Sequence, residues 1–312
     1  MANEEQMVVN NQTDSVIVPE SERLDVEKLS QAQLIGNILS NVLIYTILIL
    51  LAIAIIFPFY WMINSSLKDL AEYKRSIPTF WPETVHFENY LMAYNAANLG
   101  QLFLNTLYVG VVSTILSLVI TVLSAFAFAR LEFAGKDILF AGLLATMMIP
   151  GELFTITNYA TVSNVLQWKG TFTVLIVPFL VSVFYIYLLR QNFMQIPNEL
   201  YLAAKVDGTS DLKYLMKVMI PLALPTITTI TILKMMGAWN SYIWPRLVAN
   251  DEMHKLITNG LRGTAFQESG GQETNFPVQM AAVAIVSLPL FLVFLFFRKY
   301  IMQGVSRSGI KG

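Results

Sequence analysis

The residues with the most chemistry to offer stand in one polar stretch, Pro197 to Pro225, which reads PNELYLAAKVDGTSDLKYLMKVMIPLALP. Asn198 is placed to cap a helix whose first turn holds Glu199, where a carboxylate suits the positive end of the helix dipole. Leu202, Ala203 and Val206 can share one face, and Ala203 and Ala204 are small enough for another surface to approach the backbone closely. Asp207-Gly208 reads as a stop, because glycine adopts the left-handed conformation that ends helices. Thr209 or Ser210 can cap a second helix that Asp211 opens, with Lys213 and Lys217 on one side and Pro221 marking its end. This is chemistry of recognition, with local charge and close backbone approach around a turn. It fits a plug for a partner's socket, and it fits equally an amphipathic loop lying on a bilayer.

Bond-breaking chemistry has little to work with. There is no G-x-x-x-x-G-K-[ST] phosphate loop, so the chain is not expected to bind ATP. His86 and His254 are the two histidines and lie far apart, and cysteine is absent. No G-x-S-x-G or H-E-x-x-H occurs. No catalytic residue, metal site or cofactor is expected on this chain.

The elements around the polar stretch are apolar. Of 312 residues, 55% are hydrophobic and 13% charged, with a mean hydropathy of +0.57. Soluble domains carry about 25% charged residues, so lipid must be the solvent for much of this surface. A spanning helix needs about 20 mostly apolar residues. Six segments qualify: 41–63, 103–129, 138–157, 172–190, 221–248 and 279–298. The expected fold is an all-α membrane protein with six transmembrane helices and a helix-turn-helix loop at 191–220. Residues 1–35 are expected to form a tail, disordered in its acidic first part, and 36–312 the membrane domain. Residues 21–40 read either as an amphipathic surface helix, with Leu24, Leu29, Leu34 and Ile35 as its apolar residues, or as a linker.

Six spans place both termini on one side. Arg and Lys divide 12 against 7 between the two sets of loops, with Lys234 left inside the fifth span. The positive-inside rule then puts both termini and the 191–220 loop in the cytoplasm and the 64–102 and 249–277 loops outside. Trp61, Trp81, Trp168 and Trp244 fall near that outer interface.

The loop resembles the EAA loop of ABC import permeases, whose pattern is roughly E-A-A-x-x-D-G followed by about ten residues to a hydrophobic-Pro pair. Ala203, Ala204, Asp207, Gly208 and Ile220-Pro221 match it. Leu202 stands where the pattern has Glu, with Glu199 one turn earlier. NSSLK at 64–68, NTL at 105–107, FAFARLEFAGK at 126–136, MMIPGE at 147–152, LLRQNFMQIPNEL at 188–200, GAWNSYIWP at 237–245 and GVSRSGIKG at 304–312 are similar to the sugar-importing branch, most of all to the second subunit of the maltose-type pair. The resemblance covers about residues 36–312.

That resemblance implies a permease subunit of a carbohydrate importer in the cell membrane. Its implied partners are a second permease subunit, two ATPase subunits that hold ATP and Mg, and an extracellular sugar-binding protein. Glu199, Ala203, Ala204, Asp207 and Gly208 are then the residues that couple to the ATPase. Saccharides are held by aromatic faces with amides and hydroxyls, and two places offer that mixture. One is Glu152, Asn158 and Tyr159 after Pro150; the other is Trp239, Asn240 and Tyr242, beside Ser241 and Trp244. These are the candidate pathway residues. The competing readings are a permease for a non-sugar solute and a self-sufficient secondary transporter. The latter usually carries internal repeats and its own ion-coupling sites, and neither is visible here.

Overall fold

The computed structural model describes residues 20–249, 251–261, 264–267 and 273–306. The acidic tail before Glu20, the pair Gly270-Gly271 and the last six residues lie outside them. Helices account for nearly all the regular structure among the described residues, with one isolated antiparallel bridge between Gln267 and Thr274. In chain order they are α1 (Glu20–Ser66), α2 (Leu70–Tyr73), α3 (Glu88–Ala96), α4 (Leu99–Arg130), α5 (Lys136–Thr146), α6 (Phe154–Ala160), α7 (Phe172–Ile176), α8 (Val183–Met194), α9 (Asn198–Val206), α10 (Asp211–Tyr214), α11 (Ile220–Leu222), α12 (Leu224–Trp239), α13 (Ile243–Val248), α14 (Ile257–Gly260) and α15 (Phe276–Ser306). The chain divides into two compact units, residues 1–61 and 62–312.

The first unit is the N-terminal part of α1, a continuous helix that keeps Pro58 inside it. In the second unit α4 is the spine, and three clusters of buried side chains lie along it. Leu99 and Leu102 at its start pack with Trp239, Ile257, Ala281 and Ala282. Val109 joins Val174, Leu175, Trp244 and Leu256. Ala125 and Phe126 near its end join Leu189, Phe193, Tyr214 and Met219. The face that makes this possible is small and polar: Thr106, Gly110, Ser113, Thr114, Ser117 and Thr121 are all buried. Small residues let helix backbones approach inside a membrane protein, where lipid supplies no hydrophobic drive between helices.

Helices of spanning length and apolarity occur in α1 from Gly36, in α4, and in α15 to Arg298. They contain the expected 41–63, 103–129 and 279–298 segments. The other three expected spans fall on pairs of helices that meet at a sharp bend. Lys136–Thr146 and Gly151–Val165 meet at 77°, Phe172–Phe179 and Val183–Met194 at 45°, and Asp211–Leu222 and Leu224–Trp239 at 80°. Pro150 explains the first break and Pro225, at the start of α12, fits the third. At the second, Ser182 starts a new helix by accepting a hydrogen bond from the Tyr185 amide at 3.4 Å. The segment expected as one span over 221–248 is therefore not one helix. It ends at Trp239, and α13 begins anew after Tyr242.

Two arginines join the ends of α4 and α8. Arg130 donates to the carbonyls of Phe193 (2.8 Å) and Ile196, and Arg190 donates back to Phe128 at 3.1 Å. Each side chain thus bonds carbonyls in or just past the last turn of the other helix. Their charge also suits the negative helix ends. The Arg190 guanidinium lies 4.0 Å from the Phe140 ring centre, which adds a cation–π contact from α5.

After α1, the chain from Asn64 to Asn89 is held by a buried polar clasp. Asn89 donates to the carbonyls of Ser66 (2.9 Å) and Lys68 (2.8 Å). Lys68 and Asn64 both donate to the Thr79 carbonyl. Glu72, only 3% exposed, accepts from the Thr79 hydroxyl and the Glu83 amide. Tyr73 stacks on Phe276 at 5.6 Å, which seats this segment on the start of α15.

Candidate functional site

The polar loop folds as a helical elbow. Pro197, not Asn198, takes the N-cap of α9, with no side-chain cap bond, and Asn198 is the first helical residue. Glu199 is exposed in the first turn. The far end closes as a Schellman motif: the Thr209 amide donates to the Ala204 carbonyl at 2.8 Å and the Gly208 amide to Lys205 at 3.0 Å. Gly208 has φ +69°, the left-handed conformation that the motif requires at this position. Ser210 then takes the N-cap of α10, again without a side-chain bond.

Across the turn, Asp211 receives both Lys205 (2.7 Å) and the Tyr201 hydroxyl (2.7 Å). The Lys205 ammonium also lies 5.4 Å from the Tyr201 ring centre. The hydrogen bond to Asp211 holds the Lys205 ammonium above the usual lysine range. Tyr201 packs on Tyr214 at 5.1 Å and edge-on to Phe126 at 6.5 Å. This pins the elbow to the end of α4. The sequence alone does not mark Tyr201, Lys205 and Asp211 as a unit. Their signal is an acid just past the turn, opposite a Tyr and a Lys one helical turn apart.

Of the five expected coupling residues, Glu199, Ala203, Asp207 and Gly208 are exposed, and Ala204 is half-buried against the core below. Their neighbours add apolar surface: Leu202, Val206, Leu212 and Met216 are all exposed, Val206 by 88%. Leu212 and Met216 sit one turn apart, a spacing visible in the sequence.

The six expected pathway residues do not converge. Glu152 and Asn158 are exposed. The Tyr159 hydroxyl accepts from Lys169 at 3.2 Å. Asn240 is spent on its own helix, donating to the Met236 carbonyl at 3.0 Å. The Tyr242 carbonyl accepts from Asn259 at 3.2 Å, and its hydroxyl is bonded by Arg246. Trp239 is buried edge-on to Phe103 at 5.3 Å and borders an apolar cavity of about 380 Å³ between α4, α12 and α15. A more polar, half-open cavity of about 350 Å³ lies across α12, lined by Ser113, Ser182, Tyr185, Lys234, Ser241 and Trp244 among others. Of the six, Trp239 alone borders either, while Ser241 and Trp244 beside them line the second.

The sequence family described as "binding-protein-dependent transport system inner membrane component" matches residues 75–307. The chain belongs to this family. It is a membrane-embedded transport permease. It is 28% identical over 270 residues to the diacetylchitobiose uptake system permease protein NgcG of Streptomyces coelicolor, covering 85% of this chain and 87% of that one. It is 27% identical over 266 residues to the arabinooligosaccharides transport system permease protein AraQ of Bacillus subtilis, covering 84% and 93%. Among solved structures, a chain of a bacterial ABC transporter that imports the acidic polysaccharide alginate shares its fold, with a TM-score of 0.72 and 22% identity over 91% of this chain and 98% of that one.

Proposed function

We propose that this permease is one of two related membrane subunits of an ATP-driven carbohydrate importer. It forms half of the path, has both termini in the cytoplasm, and carries no catalytic centre of its own. ATP and Mg belong to two copies of a separate ATPase, and an extracellular binding protein delivers the saccharide to the outer loops. The observation that carries the reading is the exposed elbow α9–α10 on a permease of this family. An exposed stripe of Glu199, Ala203 and Asp207, flanked by Leu202, Val206, Leu212 and Met216, is surface suited to a protein socket. The oligosaccharides named for NgcG and AraQ support the solute class.

In this account Ala203 gives close backbone approach, Gly208 and Asp207 shape the turn, and Glu199 supplies charge. Closure of the ATPase dimer pulls the elbow, and the arginine-joined ends of α4 and α8 pass that motion to the spans. The test is purification through a tag on this chain in mild detergent, followed by an ATPase assay with candidate saccharides and their binding protein. An ATPase that copurifies and is stimulated by one loaded binding protein is the expected result. A stable chain with no ATPase contradicts it and favours a secondary transporter. Stimulation only by a non-saccharide solute keeps the importer and corrects the cargo.

A further inference from the structure

The cavity beside Lys234 differs in chemistry from two others in the larger unit. Its volume of about 350 Å³ falls within the range of small-molecule sites, about 300–1,000 Å³. The cavity at Trp239 and a third of about 690 Å³ at Leu99 and Phe103 are lined almost wholly by apolar side chains. This one gathers Ser113 from α4, Ser182 and Tyr185 from α8, Ser241 and Trp244 from beyond α12, and one lysine. The Trp244 indole is held in place, because its Nε1 donates to the Val174 carbonyl at 2.9 Å and its ring meets Phe179 edge-on at 5.7 Å.

Lys234 comes from the interior of an apolar helix, where a cation costs at least about 2.5 kcal/mol on insertion scales. It donates to the Phe179 carbonyl, at the end of the helix that breaks before α8. An ammonium has three N–H donors, so two are left for another group. A helix-end carbonyl carries only a partial negative charge. Among the described residues no carboxylate pairs with Lys234. A cation of this kind, in a polar cavity and without a counter-charge among the described residues, is arranged to receive one.

The geometry points to an anion subsite in which Lys234 takes the carboxylate of a transported acidic saccharide, with the serine hydroxyls and the Trp244 and Tyr185 rings around the sugar. This rests on the carbohydrate reading above and narrows it to sugars that carry a carboxylate. The same carboxylate chemistry could come from a side chain of the second permease subunit, and the experiment separates the two sources.

The complete complex is purified with wild-type chain, with Lys234→Gln and with Lys234→Arg. Gln keeps a donor for the Phe179 carbonyl and removes the charge; Arg keeps the charge. Binding of digalacturonate and of neutral digalactose is compared by saturation-transfer NMR. Wild type is expected to bind the acid at least tenfold more tightly than the neutral sugar. Lys234→Gln removes that preference with the complex still assembled, and Lys234→Arg retains it. Equal affinity of wild type for the two sugars overturns the subsite, as does a preference that survives Lys234→Gln. If Lys234→Gln instead prevents assembly with the second permease while Lys234→Arg assembles, the counter-charge is the partner's and the proposal fails. These outcomes are independent of whether an ATPase copurifies, which is what tests the importer reading.

Discussion

Gly208 shows what a single residue decides here. No atom beyond its chain neighbours lies within 4 Å of where its Cβ would be, so the cost of a side chain there is conformational. A left-handed backbone costs an L-residue about 1–2 kcal/mol. Gly208→Ala is therefore expected to reduce transport partly. Gly208→Pro, which cannot adopt φ +69° and loses the amide bond to Lys205, is expected to abolish it at normal membrane levels. Uptake by Gly208→Pro at wild-type rate would show that the elbow does not transmit force. Asp211→Ala should act in the same direction but more weakly. Lys205 and Asp211 are both more than a third exposed, and such pairs contribute about 0–1 kcal/mol; the readout is ATPase stimulation per assembled complex. The turn at Asp207-Gly208 was legible in the sequence because its signal is local. The Tyr201–Lys205–Asp211 cluster was not, because it depends on α10 folding back on α9. Nor could spacing show that Lys234 and Ser241 line one cavity while Trp239 turns to the other side.

Among the elements, the unbroken helices were legible and the broken ones only in part. α4 and the apolar part of α15 are long runs, and length with hydropathy suffices to find them. Hydropathy is blind to a bend, so 172–190 and 221–248 read as continuous although Pro178, Ser182 and Pro225 were signals of interruption. Two element-level predictions follow from the contacts. Arg130→Met keeps the apolar stem but removes the donors to Phe193 and Ile196; hydrogen bonds from charged groups contribute about 1.5–3 kcal/mol, so a loss of about 2 kcal/mol and weaker coupling are expected. Asn89→Leu strands the carbonyls of Ser66 and Lys68 in a buried site, at about 1–3 kcal/mol for each group left unsatisfied. Thermal unfolding of the purified complex checks both, and an unchanged Tm for Asn89→Leu would mean that the clasp does not stabilise the fold.

For the whole molecule, composition makes lipid the main solvent, and the ordered motifs carry the permease resemblance. Orientation rests on a modest asymmetry of Lys and Arg. Because cysteine is absent, any introduced thiol is unique. Ile77→Cys, 83% exposed, is expected to react with a membrane-impermeant thiol reagent from outside intact cells, and Ala203→Cys only after the membrane is opened. The reverse pattern would invert the topology and leave the elbow on the wrong face for an ATPase. The most direct test of the central claim uses the same Ala203→Cys chain: crosslinking with a short bifunctional reagent in membranes that contain the full transporter. The account predicts one major adduct whose second component is the ATPase subunit, with a yield that changes on adding ATP. An Ala203→Cys thiol that labels freely in opened membranes yet forms no ATPase adduct would contradict it.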